Sequence, residues 1–248
     1  MSSAISTRDA RQFRCIGFVM TFFVAVLIVS NIASSAKIVS LGISIFGVPL
    51  AFDGGTLLFP LSYVFGDILT EVYGFRASRR VIWTGFAALA GTSGVFFLLR
   101  TLPGEPGWEM AAGNAAYDAI LGGMSSGGIA AASLAGYLAG ELSNSVTLAR
   151  IKVLMRGKML WVRTIGSTLI GELVDSAVFV FVASLTGVFP WAAFLPLVLT
   201  NYIFKCSIEA LMTPVTYLAV YKLKKAEGAD VYDTDLRLNP FRRGKSGG

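Results

Sequence analysis

Carboxylates, one lysine and two amides stand inside stretches of this chain that are otherwise apolar. Asp67 lies nine residues before Arg76, Glu141 nine before Arg150, and Glu172 nine after Arg163. At about 1.5 Å per helical residue, each acid is roughly 13 Å from a basic loop, so three helices carry an acid at one depth. Asp175 follows Glu172 by three residues and Glu71 follows Asp67 by four, which puts each pair on one helical face. Asn201, Lys205 and Glu209 repeat every four residues as a stripe of amide, cation and carboxylate. The fragments GELSN (140–144) and GELVD (171–175) nearly repeat one another, and the first adds Asn144 to the polar set.

An ionised side chain at the centre of a membrane helix costs about 2.5–3.5 kcal/mol, so these groups must converge inside a bundle. One use is to lock helices together: Lys205 can pair with Glu209 or with an acid of another helix, and Asn144 can bridge helices for about 0.6 kcal/mol. Glu71 is near enough to Arg76 to snorkel to the interface. However, Asp67, Glu141, Glu172, Asp175 and Glu209 face Lys205 alone within the apolar runs. Surplus carboxyls can exchange protons or accept from a cationic or hydrogen-donating ligand, so a polar small molecule or ion is implied. Phe59, Tyr63, Phe179, Tyr202 and Phe204 can stack on a flat ligand.

The elements that must position these groups are membrane helices. The chain is 54% hydrophobic and 15% charged, with a mean hydropathy of +0.68, outside the balance of a soluble domain. Its apolar runs predict an all-α polytopic membrane protein with six transmembrane helices: 13–36, 55–73, 81–99, 128–149, 164–187 and 195–221. Residues 1–225 form the transmembrane domain, and the polar tail 226–248 is expected to be disordered. Of the 21 basic residues, 18 fall before the first helix, after the second, between the fourth and fifth, or in the tail. The positive-inside rule therefore makes both termini cytoplasmic and accounts for the net charge of +6 without a nucleic-acid partner. No small-residue cleavage site interrupts the first apolar run before Asn31, which is read as a helix of the mature protein and not as a signal peptide.

Gly136 and Gly140, with Gly166 and Gly171, allow close backbone approach of the fourth and fifth helices. Pro60, Pro196 and Pro214 are candidate kinks. The long connection 101–128 has Pro and Gly at its start, a Gly/Ser cluster at its end, and Trp108 and Tyr117 between. It reads as an outer loop with a short interfacial helix, more readily than as a lid.

Several chemistries are excluded. The chain has no His, which removes His-ligated metals, His triads and His proton relays. Cys15 and Cys206 are too few and too far apart in sequence for a disulfide framework or thiolate site. Asp67 is preceded by Val64, Phe65 and Gly66, so the G-x-G-D of an intramembrane aspartyl protease is missing. No G-x-x-x-x-G-K-[ST] phosphate loop occurs, so any ATP dependence must come from other chains. Mixed charges and aromatics also fit poorly with the single-ligand ring of a channel. Neither enzyme activity nor a cofactor is expected.

The blocks FDGGTLLFPLSYVFGDILTEVYGFRASRRVIW, STLIGELVDSAVFVFVA and NYIFKCSIEALMTPVTYLAVY resemble the queuosine precursor transporter family, also called the vitamin uptake transporter family. The likeness runs from about Asn31 to Tyr221. It implies a six-helix bacterial inner-membrane importer of 7-deazaguanine bases (preQ0, preQ1 or queuine), related in architecture to the substrate-binding components of energy-coupling factor transporters. Matching blocks place the family's polar core on Asp67, Glu172, Asp175, Asn201 and Lys205, while Glu141 and Asn144 come from depth and repetition. A deazaguanine offers a ring N–H and an exocyclic amine on one edge, which a carboxylate accepts together, and Glu172 is the expected acceptor. Its carbonyl needs a donor such as Asn201 or Lys205, and Asp175 or Glu141 can neutralise an aminomethyl cation. The expected partners are the small-molecule base and membrane lipid, with a homo-oligomer left open. A coupling proton can ride on Glu141, Glu172 or Asp175. The alternative is a capture subunit that needs a separate ATPase module, but the A-x-x-x-A docking surface of such subunits is missing between Phe13 and Lys37.

Overall fold

The structure is a computed structural model describing residues 13–45, 48–228 and 230–231. The elements run α1 (Ile16–Ala36), β1 (Ile38–Ile45), β2 (Val48–Asp53), a 3-10 turn (Gly54–Leu57), α2 (Phe59–Ile68), a π-helical turn (Leu69–Tyr73), α3 (Phe75–Thr101), α4 (Pro106–Ala111), α5 (Gly113–Ser125), α6 (Gly127–Leu154), α7 (Leu160–Leu185), a 3-10 turn (Trp191–Ala193) and α8 (Phe194–Glu227). Apart from the antiparallel β1–β2 hairpin, in which Ile38 faces Asp53 and Ile45 faces Val48, the fold is all-α.

Among the described residues, five helical stretches are long and apolar enough to cross a membrane: Ile16–Ala36, Phe75–Thr101, Gly113–Leu154, Leu160–Leu185 and Trp191–Glu227. This is a multi-pass membrane protein. The remaining expected span, 55–73, is a composite of 3-10, α and π segments. Its core-facing apolar residues Val64, Ile68, Leu69 and Val72 are buried against Phe23 and Leu27 of α1 and Val81 and Ile82 of α3. A segment surrounded by other helices satisfies its irregular backbone within protein, which lets it depart from a regular α-helix inside the membrane. Pro60 falls in the first turn of α2, where a missing backbone N–H is unneeded.

One end of the bundle gathers the basic loops. There the Glu227 carboxylate, at the end of α8, accepts from the backbone N–H groups of Arg14 (3.0 Å) and Cys15 (2.6 Å) and from the Tyr73 hydroxyl (3.2 Å). An acid of the last helix thus caps the first, supplying the acceptor that Cys15 lacks. At the far end, Ser35 of α1 donates to the Ile120 carbonyl (2.7 Å) and Tyr117 of α5 to the Phe96 carbonyl (2.8 Å). These bonds bring the 101–128 connection against α1 and α3. Within it, Glu105 caps α4 by accepting from Trp108 N–H, and the backbone N–H groups of Gly107 and Trp108 hold its carboxyl below its ordinary range.

Candidate functional site

The two GEL fragments meet at the closest helix pair of the bundle. A Cβ on Gly140 of α6 would stand 2.6 Å from Asp175 Cβ and 3.2 Å from the Gly171 carbonyl oxygen. A Cβ on Gly171 of α7 would stand 2.7 Å from Asn144 Cβ and 3.2 Å from the Gly140 carbonyl oxygen. The contacts are reciprocal, so the fragments pair about a local two-fold axis, and only glycine permits this approach. Gly136 makes the same close fit to Asp175, whereas Gly166 meets only Ile151 at an ordinary 3.4 Å.

Beside this pair lies a cavity of about 590 Å³, within the roughly 300–1,000 Å³ of ligand pockets. It runs from Arg100, Asp118 and Ser126 near the far end to a floor lined by Glu141, Asp175, Asn201 and Lys205. Phe59, Tyr63 and Phe179 supply its aromatic wall. Tyr202 and Phe204 do not line it, and Phe204 is exposed on the outer surface.

Lys205 organises the floor. Its ammonium donates to Asp175 Oδ2, lies 3.4 Å from Glu172 Oε2, and sits 5.6 Å from the centre of the Phe59 ring. Of the partners expected for Lys205, it is therefore acids of α7, not Glu209, that are taken. Glu172 is buried and off the cavity wall; it touches Lys205 and interacts with Tyr63. Glu141, 1% exposed, has no hydrogen-bond donor at either carboxylate oxygen among the described residues. Its Oε2 lies 2.7 Å from where a Cβ on Gly66 would be, so the bare Cα of Gly66 makes its seat.

Below the floor the polar column continues toward the basic end. Asn144 Nδ2 donates to Asp67 Oδ1 at 2.9 Å, and both residues are buried away from the cavity wall. Next, the hydroxyls of Thr70, Ser78 and Ser145 form a closed triangle with sides of 3.0, 3.0 and 3.1 Å. At the basic end, Glu71 Oε1 receives Lys224 (2.6 Å), Arg163 (2.9 Å) and Lys152 (3.5 Å). Asp230, just beyond α8, pairs with Lys152 (2.6 Å) and Lys224 (2.9 Å). Glu71 does not snorkel toward Arg76: it is fully buried, with cations of α6, α7 and α8 folded over it. Three cations and two acids in one partly dry cluster need one another, because an uncompensated buried charge costs several kcal/mol.

Of the nine residues predicted from sequence, Glu141, Asp175, Asn201, Lys205, Tyr63 and Phe179 line the cavity. Asp67, Asn144 and Glu172 stand behind it. Asp67, Glu172 and Asp175 all lie within electrostatic reach of Glu141. Sequence reasoning missed Tyr137, which lines the wall and donates to the Ile82 carbonyl (2.9 Å), and the mouth pair Arg100–Asp118 (2.6 and 2.8 Å). Arg100 had a signal: it is one of three cations outside the basic loops and tail. Asp118, Gly122 and Gly123 of the 101–128 connection also line the cavity, so that connection is wall as well as loop.

Long apolar helices around a polar cavity that reaches the middle of the bundle define a multi-pass membrane transporter class, and comparison with known proteins agrees. Residues 53–219, more than half of the chain, match the family model described as "Putative vitamin uptake transporter" (Vut_1), and the chain belongs to that family. It is 25% identical over 178 residues, covering 71% of this chain and 74% of the relative, to a Bacillus subtilis (strain 168) protein named "Probable queuosine precursor transporter". No solved structure matches.

Proposed function

We propose that the chain imports a 7-deazaguanine precursor of queuosine across the bacterial inner membrane, as a carrier without an ATPase of its own. The observation that carries this reading is the cavity floor, where Asp175, Asn201 and Lys205 lie beneath the aromatic walls of Phe59, Tyr63 and Phe179. A flat, amphipathic base matches such a site: its faces stack on rings, and its polar edge needs a carboxylate for two N–H groups and a donor for its carbonyl. Asp175 takes the N–H edge here in place of Glu172, because Asp175 is on the wall while Glu172 acts through Lys205. Asn201 or Lys205 serves the carbonyl. The name of the Bacillus relative supports the same substrate class.

The two ends of the column support a reading of alternating access. The cavity extends to the far end, and the Glu71 cluster closes the basic end, which is the cytoplasmic one by the positive-inside rule. The test is uptake of tritiated aminomethyl and cyano deazaguanines by cells that cannot make them and that lack any energy-coupling module. Saturable uptake lost in Asp175→Asn at normal expression supports the carrier. Binding by the purified chain without uptake makes it a capture subunit, and absence of both sinks the substrate assignment.

A further inference from the structure

Three candidates stand out beyond the substrate contacts: the Glu71 cluster, the hydroxyl triangle, and Glu141. Glu141 carries an inference furthest, and it deepens the transport reading above, on which it rests. We propose that Glu141 carries a proton that travels with the base, and that it is the coupling group in preference to Glu172 and Asp175.

The three acids differ in their partners. Glu172 and Asp175 share the Lys205 ammonium. Among the described residues Glu141 has no hydrogen-bond donor at either oxygen, although it is 1% exposed. The titratable groups within electrostatic reach of it are acids and phenols from three other helices and its own: Tyr63 and Asp67 of α2, Glu172 and Asp175 of α7, Glu209 of α8, and Tyr137 of α6. Asp67 Oδ2, Asn144 Oδ1 and Glu209 Oε2 also lack donors among the described residues. The layer is therefore rich in acceptors and short of hydrogens, and a proton is the smallest group that corrects the deficit. Among the described residues no group of three or more Asp, Glu, Cys or His side chains has the geometry to hold a metal ion.

Position gives that proton a task. Glu141 faces the cavity and also rests on Gly66, the residue next to Asp67. As a carboxylic acid, its O–H donates to an acceptor on the bound base; as a carboxylate, it adds one more uncompensated charge beside Asp175. Base and proton thus favour one another's binding, which is the condition for co-transport. When the Glu71 cluster opens, the O–H bond breaks and the proton passes to Asp67. From Asp67 the proton leaves to water admitted by that opening, past the mutually bonded hydroxyls of Thr70, Ser78 and Ser145.

The experiment uses the full chain in proteoliposomes with tritiated cyano deazaguanine, measuring both equilibrium exchange and accumulation under an inward proton gradient. One proton per base supports up to about tenfold accumulation per pH unit. The expected result is gradient-driven accumulation by wild type, exchange that is slowed and no longer responds to the gradient in Glu141→Gln, and a recovered response in Glu141→Asp. Accumulation by Glu141→Gln equal to wild type overturns the proposal. So does a Glu141→Gln variant that loses exchange and is not rescued by Glu141→Asp, which marks a binding or structural role. Wild-type exchange that ignores the gradient removes the coupling while leaving the substrate reading intact. No exchange and no binding by wild type removes both.

Discussion

Gly140 and Gly171 face one another across α6 and α7, each placing its carbonyl oxygen 3.2 Å from the point where the other's Cβ would stand. This contact turns two similar fragments in the sequence into one site. It sets Asp175 against Gly140 and Asn144 against Gly171, and from there Asn144 reaches Asp67 and Asp175 reaches Lys205.

Substituting Ala for either glycine places a methyl group under 3 Å from a neighbouring side-chain carbon. Overpacking of this kind costs about 1–3 kcal/mol, so Gly140→Ala and Gly171→Ala should each lower the melting temperature of the purified protein by several degrees. Gly166→Ala meets only Ile151 at 3.4 Å and is the internal control, with a shift near zero. Equal shifts at all three positions would refute the close approach.

Asp175 and Glu172 are separated by their access to the cavity. Loss of a charge-assisted hydrogen bond to a ligand costs about 1.5–3 kcal/mol, so Asp175→Asn should weaken binding of a deazaguanine by roughly 10- to 150-fold. Glu172→Gln, acting through Lys205, should weaken it less. Titration calorimetry on the two purified variants decides the order, and the reverse order returns the base edge to Glu172.

The Glu71 cluster is an ion-pair closure, and removing its acid takes from Arg163 the carboxylate it pairs with while Lys152 and Lys224 keep Asp230. Glu71→Gln should destabilise the protein by about 3–5 kcal/mol, the usual effect of breaking a buried pair. Adding Arg163→Gln should recover part of that loss, since the stranded guanidinium leaves with it. The same variants should raise the reactivity of cysteines placed at the basic end toward a membrane-impermeant maleimide, because the closure is loosened there.

Asp230 gives the cluster an acid limit. Burial pushes its carboxyl up, but the adjoining Lys152 and Lys224 ammoniums prevail and hold it below its ordinary 3.8. A group depressed in the folded state contributes stability that is present above pH 3.8 and is lost as pH falls through its folded value. Wild type should therefore melt above Asp230→Asn at neutral pH, and the two curves should converge only below pH 3.8. The side chain is 40% exposed, so the difference is small and shrinks in high salt.

Much of the fold was legible because hydropathy, helix length and basic loops leave few alternatives in a membrane. Five of the six expected spans are long regular helices, and acids of three of the expected spans come within electrostatic reach of one another. The β1–β2 hairpin was missed, although Ile38, Val39, Ile43, Ile45 and Val48 carried the β-branched signal of a strand pair. Glu71 was misplaced because sequence distance to Arg76 gives no view of Lys152, Arg163 or Lys224.

The sequence by itself determined that polar groups must gather inside an apolar bundle, because lipid cannot solvate Asp67, Glu141, Glu172, Asp175 and Lys205 one by one. Helical periodicity also determined which of them share a face. The tertiary structure decided which acid Lys205 holds and which acid is left without a donor. Those choices are made between helices far apart in the chain, by how closely Gly140 and Gly171 allow α6 and α7 to approach and by the seat that Gly66 leaves for Glu141.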